Sequence, residues 1–404
     1  MKSVKGLEII PGRKGPEGRE DTPLTAAPKK ILIITGEASG DLHGSGVAKA
    51  LQSLSSEVKI FAMGGEELRL AGAEIVVHST PLAVVGITEV LGRMGAILRA
   101  YRELKAFIRR QKPALLILID FPDFNLRLAR VAKKHGVPVL YYISPQVWAW
   151  RAGRVQAMAP YVQKMAVIFP FEVPLYEKAG IPVEFVGHPL MDVLASWEEG
   201  RRAEGRGMFG GAPLIALLPG SREKEISSLL PEMVRAADLL LREMPQARFI
   251  LPLASAIHRE DVEKYLPPEF PALTIVEGKT YEAVQAAEVA IVASGTATLE
   301  TAILGRPMVI VYRVSPLSYW IGRALVHVNC IGLANIVAGR KIVPELLQGE
   351  ACGENISAAA LKILNEADYR ETMIAGLKEV RKKMGTSGAA SRVAQIAVKM
   401  VAGS

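Results

Sequence analysis

Asp120 stands directly after the apolar run of residues 114–119, in the string Ile119-Asp120-Phe121-Pro122-Asp123-Phe124-Asn125. A short run of this kind reads as a buried strand. The carboxylate then falls at the strand tip, where partial removal from water raises its pKa toward that of a general base. Asp123 has the residue type that caps the following helix. A second chemical cluster is Thr35-Gly36-Glu37-Ala38-Ser39-Gly40-Asp41, a glycine-rich turn between an apolar run and a helical pattern. Free N–H groups at such a turn hold anionic or hydroxyl-rich ligands. Glu37 and Asp41 add carboxylates to the same loop.

The second half of the chain repeats the arrangement twice. Leu218-Pro219-Gly220-Ser221-Arg222 opens one helix and Ser294-Gly295-Thr296-Ala297-Thr298-Leu299-Glu300 opens another, each after an apolar run. Gly220 permits close backbone approach, and Arg222 offers a guanidinium fork suited to a diphosphate. Glu300, one turn into its helix, is placed to hold ribose hydroxyls. Two anion cradles facing one cleft suit a nucleoside diphosphate. The string Tyr141-Tyr142-Ile143-Ser144-Pro145-Gln146-Val147-Trp148-Ala149-Trp150-Arg151 adds aromatics beyond another strand. Trp148 and Trp150 suit either the flanks of a sugar or acyl chain or a packed interdomain seam. His188, in Gly187-His188-Pro189, reads as a hinge-side hydrogen-bonding residue or a phosphate neighbour.

Other chemistries lack their residues. The first turn does not read GxGxxG, and no acidic residue closes the second strand at Phe61-Ala62-Met63-Gly64-Gly65, which disfavours a nicotinamide cofactor. Gly278-Lys279-Thr280 resembles the end of a Walker A loop, but Leu273 holds the position of its first glycine. Cys330 and Cys352 form neither a disulfide framework nor a zinc pair, and read as buried small hydrophobes. The six histidines show no metal-binding spacing. His43 is expected as a surface or capping residue. No metal and no cofactor are expected.

The elements that must position these residues are legible as apolar runs at residues 30–35, 58–63, 114–119, 138–142, 165–169 and 183–186. A second series lies at 214–218, 249–252, 273–276, 289–293 and 308–312. Continuous apolar strands alternating with helical patterns indicate parallel sheets covered on both faces, hence two doubly wound α/β domains. The expected organisation is a disordered extension over residues 1–29, a domain over 30–190, a second over 205–355, and closing helices over 356–404. Ligands of such sheets bind beyond the carboxyl ends of the strands, so the loops above face the cleft.

The formal charge of +8 asks for an anionic partner, and its distribution narrows the choice. Residues 1–30 hold seven basic and four acidic side chains, and residues 87–112 hold seven and two, which accounts for the whole excess. In the second segment Ile87, Val90, Leu91, Met94, Ile97, Leu98, Tyr101, Leu104 and Ile108 recur at helical spacing between Arg93, Arg99, Arg102, Lys105, Arg109 and Arg110. This basic amphipathic helix either docks on a sheet with a solvated basic face or inserts Val90, Leu91, Met94, Ile97 and Leu98 at an anionic membrane surface. A nucleic-acid footprint would run along a groove with stacking aromatics, so no nucleic-acid partner is expected. No apolar run is long enough to span a bilayer.

These strings, with Val85-Gly86-Ile87-Thr88-Glu89-Val90-Leu91-Gly92-Arg93 and Leu333-Ala334-Asn335-Ile336-Val337-Ala338-Gly339-Arg340, resemble the bacterial lipid-A-disaccharide synthases over roughly residues 30 to 385. The most specific strings are Ser-Pro-x-Val-Trp-Ala-Trp-Arg and Ile-Asp-x-Pro-Asp-Phe-Asn. The resemblance implies a GT-B glycosyltransferase of two Rossmann-like domains, the first on the acceptor side and the second binding the UDP-sugar. It implies transfer, with inversion and without metal, from UDP-2,3-diacylglucosamine to 2,3-diacylglucosamine 1-phosphate (lipid X), giving a β(1→6) disaccharide and UDP. The runner-up is another GT-B enzyme acting on a UDP-N-acetylglucosamine-type donor; a nucleotide-sugar-binding protein without turnover is a third reading.

Carried over residue by residue, the resemblance makes Asp120 the essential carboxylate, Arg222 the essential arginine and Glu37 a further site residue. Contact with the UDP-sugar is expected from Gly36, Ser39, Gly220, Ser221, Ser294, Gly295, Thr296, Glu300 and Asn335. Acylated substrates in the inner leaflet favour membrane contact by the amphipathic helix, at the cytosolic face. The family also includes dimers, so a homodimer is admitted.

Overall fold

The protein's structure, a computed structural model, describes residues 28–79, 87–145, 153–201, 212–254, 256–314 and 330–403, with the side chains of 87–93, 153–154 and 201 outside that description. The extension expected over residues 1–29 therefore lies outside the described residues up to position 27. Two parallel sheets organise the rest. Strands β1 (Lys29–Ile34), β2 (Val58–Gly64), β3 (Glu74–His78), β4 (Leu115–Ile119), β5 (Val139–Tyr142), β6 (Lys164–Val167) and β7 (Val183–Phe185) form a seven-stranded sheet in the order β3-β2-β1-β4-β5-β6-β7. Strands β8 (Leu214–Leu218), β9 (Arg248–Leu253), β10 (Leu273–Glu277), β11 (Val289–Ala293), β12 (Met308–Tyr312) and β13 (Glu345–Leu347) form a six-stranded sheet in the order β10-β9-β8-β11-β12-β13.

The side-chain period of two explains why these strands are apolar throughout. In β1, Ile31 and Ile33 enter the core on one face of the sheet, and Leu32 and Ile34 enter the core on the other. Residues Leu115, Ile117 and Ile119 of β4 join the first set, and Leu116 and Leu118 the second. β3 and β13 were not expected from the sequence. Both are edge strands: β3 has polar ends, Glu74 and His78, and is half-exposed, and β13 has three residues, so neither presents a continuous apolar run.

Strand order reverses between β1 and β4 in the first sheet and between β8 and β11 in the second. At each reversal the flanking connections leave in opposite directions and open a crevice beyond the carboxyl ends. The crevices lie after Ile34 and Ile119 in one domain and after Leu218 and Ala293 in the other.

The closing helices split between the domains. Gly353–Asn365 packs on Glu223–Glu243, and Ala367–Lys383 packs on Thr296–Ile303 and Leu333–Ala338. Ala389–Ala402 returns to the first domain and lies along Ala38–Leu54. This crossing fastens the hinge. Arg392 donates to the carbonyls of Val186 (2.7 Å), Thr386 (2.7 Å) and Ser387 (2.9 Å), and Arg381 holds both carboxylate oxygens of Glu198 at 2.9 and 3.2 Å. The His188 N–H donates to the carbonyl of Met384 (3.0 Å), and its Nδ1 accepts from the Leu190 N–H (3.1 Å). Burial pushes the His188 pKa down to about 3, with His43 adding to the effect, so the ring is a neutral hinge bracket.

The basic amphipathic segment is one helix, Ile87–Gln111. Ala100, Leu104 and Ile108 dock into the core of the first sheet, while Met94 and Leu98 remain 49% and 45% exposed. Ile97 is half-buried, and the side chains of Val90 and Leu91 lie outside the described residues. Among the described residues no helix is long and apolar enough to cross a membrane.

Candidate active site

The chain turns sharply at the tip of β4. Asp120 and Phe121 both adopt left-handed φ, at +47° and +48°, and Ile143 at the tip of neighbouring β5 has φ +59°. Each such residue costs of order 1–3 kcal/mol and persists only where its surroundings fix it, and such residues cluster at functional sites. Here two donors fix the turn. The Asp120 carbonyl accepts from Asn125 Nδ2 (2.6 Å) and from the Tyr141 hydroxyl (2.7 Å), while the Asp120 N–H donates to the carbonyl of Tyr142 (3.3 Å). Asn125 Nδ2 also reaches the Ile119 carbonyl at 3.2 Å, and its Oδ1 is buried with no hydrogen-bond partner among the described residues.

Gly36 completes the packing at this crevice. A Cβ at position 36 would lie 2.3 Å from Phe121 Cγ, so only glycine lets the loop after β1 cross the face of that ring. Glu37 is the N-cap residue of Ala38–Leu54 and is exposed, as is Ser39 in the first turn. Burial raises the pKa of Asp120, the negative charge of Glu37 raises it further, and the Phe121 N–H partly offsets both. This is the environment of a carboxylate able to take up a proton.

Three expectations for this domain are corrected. Asp41 is buried and accepts from the N–H groups of Gly65 (2.6 Å) and Glu67 (2.9 Å), so its carboxylate ties down the loop after β2 and does not face the crevice loop. Asp123 does not cap the helix Pro122–Lys134; the N-cap is Phe121, because the left-handed turn moves the helix start one residue forward of the aspartate. His43 is half-buried, and burial lowers its pKa. Trp148 and Trp150 lie outside the described residues. Just before them, the Ser144 hydroxyl lies 2.6 Å from Oε1 of the buried Glu172, whose pKa burial pushes up to about 7.

In the second domain a cavity of about 320 Å³ occupies the crevice between β8 and β11. Gly220, Ser221, Arg222, Ser294, Gly295, Thr296 and Glu300 all line it, together with Glu225 and Thr280. The loop 220–222 leads into the helix Glu223–Glu243 and the loop 294–296 into Thr296–Ile303, so both helix N-termini border the cavity, with the Ser221 N–H held by Glu225 and the Ser294 N–H by the Val311 carbonyl. Glu300 accepts from the Tyr281 hydroxyl at 3.0 Å, and burial raises its pKa. Tyr281 packs edge-on against Trp197 of the linking helix Leu190–Arg201 at 5.7 Å, and Trp197 Nε1 donates to Glu282 (2.9 Å).

Asn335 is not among the described residues lining this cavity. Its side chain is fully buried: Nδ2 donates to the Val343 carbonyl and Glu345 Oε1, and Oδ1 accepts from Ile342 and Val343. With every polar position used, the side chain brackets its own loop. Cys330 and Cys352 are half-buried rather than buried. Among the described residues no group of three His, Cys, Asp or Glu side chains is arranged to hold a metal ion.

The local sequence marks no role for Asn125, Tyr141, Tyr281 or Glu225. Asn125 was within reach, since an amide five residues past a strand-tip carboxylate can return to the strand's last carbonyls. Tyr281 and Tyr141 act from other elements, and only the fold brings them in.

Comparison with known structures places the architecture. The chain superposes on a calicheamicin glycosyltransferase with a TM-score of 0.61 at 14% identity, covering 93% of this chain and 99% of that one. It superposes on a UDP-GlcNAc 2-epimerase from Neisseria meningitidis, solved bound to UDP-GlcNAc, with a TM-score of 0.59 at 14% identity, covering 93% and 100%. At such identities the likeness is one of fold, the two-domain GT-B arrangement. Sequence carries the relation further. The chain is 48% identical to the lipid-A-disaccharide synthase of Geobacter metallireducens over 380 residues, covering 93% of this chain and 98% of the relative. It is 47% identical to that of Geobacter sulfurreducens, covering 92% and 97%, and 46% identical to that of Syntrophus aciditrophicus, covering 92% and 98%. A family model described as lipid-A-disaccharide synthetase matches residues 31–400, from β1 to the last helix, and with it the chain belongs to the lipid-A-disaccharide synthase family.

Proposed function

We propose that this protein transfers a diacylglucosaminyl group from UDP-2,3-diacylglucosamine to the 6-hydroxyl of 2,3-diacylglucosamine 1-phosphate. The products are the β(1→6) disaccharide 1-phosphate of lipid A biosynthesis and UDP. One observation carries the reading: a carboxylate of raised pKa, Asp120, stands at the topological reversal of one sheet, and a cavity lined by Arg222 and two helix N-termini stands at that of the other.

Inversion needs a single displacement. Asp120 takes the proton of the acceptor hydroxyl as the oxygen attacks the anomeric carbon, and the bond from that carbon to the UDP oxygen breaks on the opposite side. Glu37 supports the base by keeping its proton affinity high. Arg222, the Ser221 N–H and two helix N-termini stabilise the charge that develops on the departing diphosphate. Glu300 holds the ribose hydroxyls.

Both substrates carry acyl chains, so the enzyme works at the cytosolic face of the inner membrane. The exposed Met94 and Leu98, with Arg99, Arg102 and Lys105 on the same helix, suit insertion among anionic headgroups. The test is UDP release measured with acylated and unacylated donors in the presence of the acylated acceptor. Turnover of the acylated pair alone supports the reading. Turnover of UDP-N-acetylglucosamine without acyl chains would replace it with a different GT-B chemistry.

A further inference from the structure

Glu225 occupies the hydrogen-bond donors that a diphosphate would need. It lies in the first turn of Glu223–Glu243, where its Oε2 accepts from the Ser221 N–H at 2.9 Å and its Oε1 from Arg222 Nη1 at 3.2 Å. Gly220 makes room for this: with φ at +121°, a Cβ there would lie 2.4 Å from Glu225 Oε2. A glutamate at this third helical position ordinarily reaches back to the N–H of the cap residue. Here the cap residue is Arg222, and the carboxylate passes it to take the N–H of Ser221 and the guanidinium as well. Tyr312, at the end of β12, lies within electrostatic reach of both Glu225 and Arg222.

Resting on the donor site described above, we propose that Glu225 is a phosphate-mimicking positioning residue, which competes with the donor's diphosphate for Ser221 N–H and Arg222 and sets how fast UDP leaves. A diphosphate and a carboxylate cannot share those two donors at contact distance without strong like-charge repulsion. The Glu225 side chain is 28% exposed, against 68% for Arg222, so it has a solvent side to turn toward as the nucleotide enters. When UDP is the product, the same carboxylate returns to the donors and displaces it.

The test is titration of the full-length protein with UDP, inorganic pyrophosphate and uridine, for wild type, Glu225→Gln and Glu225→Ala. Loss of the competing charge is expected to tighten UDP and pyrophosphate several-fold to about tenfold while uridine is unmoved. In turnover, donor KM and kcat fall together, because UDP is released more slowly. A merely structural cap would instead weaken all three ligands in step with a lowered melting temperature. UDP affinity unchanged or reduced in both variants, with the fold intact by circular dichroism, overturns the proposal. Failure of the wild-type protein to bind UDP or pyrophosphate overturns the donor-site reading itself, and the two failures are thereby distinct.

Discussion

Gly36 and Phe121 meet across the reversal of the first sheet so closely that a Cβ on the glycine would stand 2.3 Å from Cγ of the ring. The ring belongs to a residue held in the left-handed region, next to Asp120 in the same conformation, and the loop that crosses it carries Glu37. Contact between these two residues therefore fixes the relation between the carboxylate and the charge that raises its pKa. Gly36→Ala is expected to push the ring away and relax the turn. A displacement of about 1 Å at a reacting group costs on the order of 100-fold in rate. The expected result is a loss of kcat of that size with UDP affinity, which belongs to the other domain, unchanged by calorimetry. An unaltered kcat in a folded variant would show that the contact does not position Asp120.

Asp120 itself separates chemistry from binding. Asp120→Asn keeps size and removes the base, so UDP release is expected to fall by roughly 10²–10⁴-fold while UDP binding persists. The pH profile carries a further sign. Burial and Glu37 raise the Asp120 pKa above 3.8, and the reaction needs the deprotonated form, so kcat/KM rises with pH through that elevated value. Glu37→Gln removes one raising influence and should move the acid limb of kcat/KM to lower pH. A limb that stays in place would detach Glu37 from Asp120.

Much of this arrangement is written in local sequence, and the exceptions have physical causes. The tip of β4 is legible because five buried apolar residues end abruptly at a carboxylate, and the cradle at 220–222 because glycine and arginine interrupt strand and helix together. Asp41 misleads because an aspartate in a glycine-rich loop looks the same whether it faces a ligand or, as here, two backbone N–H groups 24 and 26 positions away. Asn335 lies in a family motif, yet its amide is consumed by its own loop. β3 and β13 escape detection because edge strands need no apolar run. The return of the last helix to the first domain is a matter of long-range packing that no local pattern records.

Glu172 makes stability depend on pH in an unusual direction. It is buried beneath the Ser144 hydroxyl, and burial raises its pKa from 4.5 to about 7 in the folded protein. The folded state thus binds the proton more tightly than the unfolded state. The stabilisation is complete below the unfolded pKa and is lost as pH rises through the folded one. Between these values the cost of ionisation is on the order of 3 kcal/mol. Denaturant unfolding of Glu172→Gln should lose this component of the pH dependence, so that the variant gains relative to wild type from pH 5 to pH 8. Parallel wild-type and variant curves over that range would contradict the assignment.

Met94 and Leu98 give the membrane reading its sharpest test. The helix Ile87–Gln111 spends Leu104 and Ile108 on the core of the first sheet, so the apolar stripe has two functions along its length, and the exposed pair can be changed without touching the docked half. Burying a side chain of this size is worth roughly 1.5–3 kcal/mol. Met94→Gln with Leu98→Gln should therefore reduce binding to vesicles rich in anionic lipid by at least tenfold, with melting temperature and UDP affinity retained. Charge contributes separately: Arg99→Gln with Arg102→Gln should weaken binding in low salt and matter little in high salt, because headgroup attraction is screened. If the double glutamine variant at 94 and 98 sediments with vesicles as wild type does, the exposed apolar pair has no part in membrane contact.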